Sequence, residues 1–72
     1  MTNLDKAISI LPEHYRKVLE LRFDKKFTIH ETAEYMNLEM VAVRNLQYRA
    51  LKELNQVLAE LHRANAISKK YS

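Results

Sequence analysis

The sequence predicts an all-α fold, and three observations carry that expectation. Its 72 residues include no glycine and a single proline, so little loop-making material is present. Strong helix formers dominate, and 47% of the residues are hydrophobic. Apolar residues also recur at three- and four-residue spacing instead of alternating. One domain over residues 1–72 is expected, with four helices, a core at 11–54 and a long last helix. A chain this short buries only about 60% of the surface its unfolded form exposes, so its stability should be modest.

The first helix is expected over residues 4–10, capped by Thr2 or Asn3, with Leu4, Ala7, Ile8 and Leu11 as its apolar stripe. Pro12 ends it, because the residue before a proline is pushed out of the α region. The same proline suits the first position of a second helix, and Glu13 then meets the positive dipole end. That helix should reach residue 23. Tyr15, Val18, Leu19 and Arg22 fall near one another on it, and Leu21 and Phe23 close its end. Tyr15, Phe23, Phe27 and Tyr35 read as core or boundary aromatics. Residues 24–26 are a short polar connection. Phe27 is placed to staple onto a residue one turn into the third helix.

Thr28 and Glu31 have the spacing of a capping box, and Ile29, Ala33 and Met36 follow at helical intervals. Asn37 is where the chain should turn, since asparagine tolerates positive φ better than most residues. Leu38 plugs the corner and Glu39 opens the fourth helix. Val43, Leu46, Gln47, Ala50 and Leu54 form one face of that helix, with Gln47 as a locally bonded boundary residue. A short helix, a tight turn and a longer helix make a helix-turn-helix pattern, whose second helix is offered to a DNA groove.

The stripe continues past Leu54 through Val57, Leu58 and Leu61 and needs a cover. The first helix is the expected one; the near-heptad spacing leaves a coiled-coil homodimer open. Residues 64–72 lose the pattern and are expected to form a flexible tail.

Cysteine is absent, which removes disulfides and thiolate chemistry and fits a reducing cytoplasm. There is no signal-peptide pattern and no apolar run long enough to span a bilayer, so no membrane partner is expected. The net charge of +3 lies wholly in residues 37–72, because residues 1–36 sum to zero. That placement favours a polyanionic partner. His14, His30 and His62 fall on separate expected helices, without the i, i+4 pairing of metal ligands. No phosphate-cradling loop, nucleophile–base pair or pocket-sized core appears, so no enzyme, no cofactor and no metal site is expected.

On a helical wheel, Val41, Arg44, Asn45, Tyr48 and Lys52 point away from the Val43–Ala50–Leu54 line. As a groove-binding face, Arg44, Arg49 and Lys52 hold phosphates and Met40, Val41 and Asn45 supply base or methyl contacts. Tyr48 packs on sugar or donates to phosphate. The alternative is a protein-docking surface through Val41, Val57, Leu58 and Leu61.

With these residues in view, the chain resembles region 4 of bacterial RNA polymerase sigma factors. LPEHYRKVLELRF at 11–23 is similar to the helix that precedes the helix-turn-helix in that family. FTIHETAEYMNL matches its hydrophobic-Ser/Thr-x-x-Glu-x-Ala-x-x-Leu-Gly-Ile pattern, with Asn37 for the usual glycine. VRNLQYRALKEL matches the end of its recognition helix. The resemblance implies binding of double-stranded promoter DNA at the minus-35 element through the last helix. It also implies contact with the β flap of RNA polymerase through the helices ahead of it. A partner sigma subunit or an anti-sigma protein is a further implied partner. By position, Arg44 and Asn45 fall where the family places base- and phosphate-contacting residues, and Arg49 and Lys52 where it places backbone-contacting cations. Thr28 begins a helix that usually abuts a phosphate. The sequence departs at Met40, Val41 and Ala42, which stand where the family commonly has polar base readers and a threonine. No counterpart is seen of the sigma domain that grips core polymerase. The sequence is therefore expected to be an excised domain or a small protein that does not start transcription alone.

Overall fold

A computed structural model of the chain describes the backbone of residues 3–71 and the side chains of residues 3–63. Four α-helices follow one another: α1 (Asn3–Ser9), α2 (Glu13–Leu19), α3 (Ile29–Met36) and α4 (Met40–Tyr71). Among the described residues there is no strand, so the all-α expectation holds. Of the two caps expected for the first helix, Asn3 lies within α1 and Thr2 lies outside the described residues. Where a tail was expected over 64–72, the backbone continues as helix α4 to residue 71, and the side chains of that stretch lie outside the described residues.

Helix α4 has 32 residues and sets the longest dimension, 49 Å, against 20 and 16 Å across. The other helices pack along it. Ala7, Val18, Val43 and Ala50 are fully buried and share one core with Leu11, Leu19, Ala33 and Leu54. Three of those eight are alanines. Small contact residues let helix axes approach closely, which is how so short a chain excludes water from its centre. Val57, Leu58 and Leu61 are half-buried against this core, and α1 packs on α4, as expected for the cover of the stripe.

The second helix departs from its expected form. Pro12 is the residue before it, not its first residue, and accepts from the Arg16 N–H at 3.0 Å. After Leu19 the chain widens into a π-helical segment, Glu20–Asp24, in which Lys25 N–H donates to the Glu20 carbonyl at 3.0 Å. Arg22 lies four residues after Val18 and three after Leu19, beside the most buried line of the helix. A guanidinium there needs partners for the water it loses. The wider turn changes the register. Leu21 is fully buried, and half-buried Arg22 reaches sideways to two acceptors.

Those acceptors tie three elements together. Arg22 Nε donates to Gln47 Oε1 on α4 at 2.7 Å, and Arg22 Nη1 donates to the Phe27 carbonyl in the loop before α3. Gln47 is therefore bonded across the fold and not locally. The loop itself closes with Phe27 N–H on the Leu21 carbonyl at 2.9 Å. Lys26 takes φ 58°, a left-handed conformation that costs a non-glycine residue roughly 1–2 kcal/mol.

Several boundary assignments also change. Phe23 is 53% and Tyr35 59% exposed, and Leu4 and Leu38 are also exposed, so Leu38 only partly plugs its corner. The half-buried Phe27 ring meets Tyr35, two turns into α3, edge-on at 6.1 Å between centroids. Tyr35 also lies under the Lys17 ammonium, 5.2 Å from its ring centre.

The Arg22 fork yields a prediction. Arg22→Met keeps the aliphatic stem and strands both acceptors, so it should cost about 2 kcal/mol by urea unfolding, the range for hydrogen bonds to a charged group. Gln47→Met should cost less. A double-mutant cycle should show non-additivity of about 0.5 kcal/mol or more; strictly additive losses would mean that the two residues do not act as a unit.

Candidate nucleic-acid interface

Helix α3 begins as its sequence dictates. The Glu31 N–H donates to Thr28 Oγ1 at 3.0 Å, and the Thr28 N–H donates back to Glu31 Oε1 at 2.8 Å, completing the capping box. Thr32, fully buried, turns its hydroxyl onto the Thr28 carbonyl at 2.8 Å. The helix stops at Asn37, with φ 56° and ψ 48°. There the Leu38 N–H bonds the Ala33 carbonyl at 2.9 Å and the Asn37 N–H bonds the Glu34 carbonyl at 3.3 Å, a Schellman closure. Asparagine does the work of glycine at this turn, and α4 starts three residues later.

The inner face of α4 is anchored by Val43, Ala50 and Leu54. Its opposite edge is open. Val41 is 62% and Tyr48 69% exposed, and Arg44, Asn45, Arg49 and Lys52 are exposed beside them. Met40 is exposed at the first turn, while Ala42 is half-buried along a shallow groove shared with His14, Met36 and Leu38. Of the residues singled out on α4 from the sequence, Val41, Arg44, Asn45, Tyr48 and Lys52 share one accessible surface, while exposed Met40 and Arg49 lie on its two opposite flanks. Glu53 and Glu60 lie about 120° and 100° round the helix from Val41, so no carboxylate interrupts the outward edge from Val41 to Arg63. Such an edge is electropositive and places an amide and a phenol between cations.

Thr28 is exposed near the start of α3, but its backbone N–H and hydroxyl lone pair are spent on Glu31. Only its hydroxyl proton remains for a phosphate. The hydrogen bonds from Thr28 hold the Glu31 carboxyl below its ordinary pKa, with a smaller contribution from His30. His30 itself pairs with Glu34 at 2.7 Å on the surface.

The protein-docking residues divide. Val41 is open, whereas Val57, Leu58 and Leu61 are half-buried against the chain's own core. A different apolar groove, which the sequence reading did not find, opens between α1, the π segment and α4. It encloses about 770 Å³, is floored by Leu4, Ile8, Leu19, Phe23 and Leu51, and carries Arg16 and Asp24 among its charged lining residues. The i, i+4 pairs Leu4–Ile8 and Leu19–Phe23 were its signal. Among the described residues no cluster of histidine and acidic side chains could hold a metal ion, and no helix is long and apolar enough to cross a membrane.

The cap gives a pH prediction. Because the Glu31 pKa is lowered on folding, its contribution is present above the unfolded value and is lost as pH falls through the folded one. Wild type should therefore lose stability on acidification more steeply than Glu31→Gln, as read by thermal melts at matched salt. Parallel profiles would remove the carboxylate from the cap. Thr28→Ala should cost about 1 kcal/mol at neutral pH.

Comparison with known proteins agrees with this geometry. No curated protein and no solved structure matches the chain. The family described as sigma-70, region 4 matches residues 1–54, which takes in the three shorter helices, the turn and the anchored part of α4. The chain belongs to the sigma-70 region 4 family, whose helix-turn-helix domains bind DNA and work with RNA polymerase in transcription.

Proposed function

We propose that the chain binds double-stranded promoter DNA of the minus-35 type in the cytoplasm and assists recruitment of RNA polymerase. The observation that carries this reading is the carboxylate-free outward edge of α4, exposed at Arg44, Asn45, Tyr48 and Lys52 while Val43 and Ala50 are fully buried. In this mechanism Arg44, Arg49 and Lys52 bind phosphates, and Thr28 adds its hydroxyl proton at the start of α3. Asn45 offers the donor–acceptor pair that fits adenine in the major groove, and Tyr48 lies on the sugar edge. The core that holds α4 gives these groups one fixed register.

Polymerase contact has its own surface in this reading. The groove around Phe23 is apolar, open and lined by both signs of charge, and it lies on a different side of α4 from the DNA-facing edge. An apolar helix of the polymerase β flap is the occupant we assign to it, so DNA and polymerase are held at once. An adaptor role with little sequence-specific DNA binding is the second reading. It is favoured by exposed Val41, but it loses the continuous stripe that Val57, Leu58 and Leu61 would have supplied.

One pair of variants tests both surfaces. Arg44→Ala should weaken binding to duplex DNA and flatten the slope of log K against log salt by about 0.9, the value for one phosphate on B-DNA. Phe23→Asp should leave that slope intact and reduce polymerase recovered from nuclease-treated extract. An unchanged slope in Arg44→Ala contradicts phosphate anchoring. Unchanged recovery with Phe23→Asp removes the groove as the polymerase seat.

A further inference from the structure

We infer that the first turn of α4 reads thymine by its 5-methyl group, through Met40 and Val41. This deepens the DNA-binding reading above and rests on it. Val41 is 62% exposed and Met40 39%, directly after the turn at Asn37. Neither side chain can exchange a strong hydrogen bond with a base edge. In the major groove the one apolar feature of a base pair is the thymine methyl; guanine, cytosine and adenine show only donors and acceptors there.

The neighbours of the two residues fit the same occupant. Arg44 lies one turn beyond Met40, and Asn45 one turn beyond Val41, both exposed. A cation and an amide therefore follow the apolar pair by one turn, chemically suited to a phosphate and an adenine near a thymine. Within the first turn of α4 there is no acidic residue, although the exposed carboxylate of Glu39 immediately precedes it. Ala42, on the other side of the turn, is half-buried and adds no donor. Discrimination at these steps consequently depends on a methyl group being present and not on a hydrogen-bond code.

The test compares thymine with uracil, which differ at this edge only by that methyl. The chain is used to enrich a library of short random duplexes, and the enriched pool is amplified either with dTTP or with dUTP. Wild type should bind the thymine pool more tightly, by roughly fourfold for each methyl contact, the equivalent of one buried carbon. In Met40→Ala/Val41→Ala, whose exposed changes should leave the helical circular dichroism intact, the ratio between pools should approach one. Arg44→Ala should weaken both pools and keep the ratio. Equal affinity of wild type for the two pools, or a ratio unchanged in the double variant, overturns methyl reading while leaving DNA binding in place. Absence of salt-sensitive binding to either pool overturns the DNA-binding reading, and this inference with it.

Discussion

A single guanidinium sets the geometry of this domain. Arg22 leaves a π-helical turn and donates both to the loop before α3 and to Gln47 on α4. Three separate pieces of chain are thereby fixed against one another by a charged, planar group with directional donors. Hydrophobic contact alone is not directional, and a core this small offers few large side chains to impose a unique rotation on a 32-residue helix. The fork adds a directional tie to the packing of Val43, Ala50 and Leu54 that anchors α4. It is made from within the π segment, where Arg22 lies beside the buried Val18–Leu19 line and finds acceptors on two other elements.

Once α4 is fixed about its axis, its outward edge follows from its sequence. Val43 and Ala50 have no exposed surface, and the residues half a turn away have much of theirs. The chain's excess positive charge lies in the half that contains α4, and the outward edge is free of carboxylates. Capping box and Schellman closure bring the chain out of α3 and into α4 through an asparagine turn. Each local device thus serves the presentation of one edge, and the apolar groove around Phe23 is left on another side of the same helix. A family of DNA-binding, polymerase-associated domains is where such an arrangement belongs.

Features governed by local physics were legible in the sequence. The capping box needs only Thr28 and Glu31 three residues apart, and the turn needs only a residue that tolerates positive φ, so both were placed correctly. The buried face of α4 followed from its period. Features governed by tertiary partners were not legible. Nothing in ELRFD distinguishes a π turn from an α turn, since the choice depends on acceptors 5 and 25 residues away. Lys26 adopts positive φ without any side-chain signal, because the closure of the loop onto Leu21 demands it. Phe23 and Tyr35 were expected at the boundary because they are aromatic. Phe23 ends the π segment on the wall of the open groove it shares with Leu19, and Tyr35 engages Lys17 and Phe27 at the surface.

The presented edge of α4 is the central claim, and amide chemical-shift mapping tests it most directly. In a titration of the isotopically labelled chain with a short mixed-sequence duplex at low salt, the largest changes should fall on residues 40–52, with smaller ones at the start of α3. They should fade as salt is raised. Changes confined to the groove around Leu4, Ile8 and Phe23, or none that depend on salt, would contradict the account.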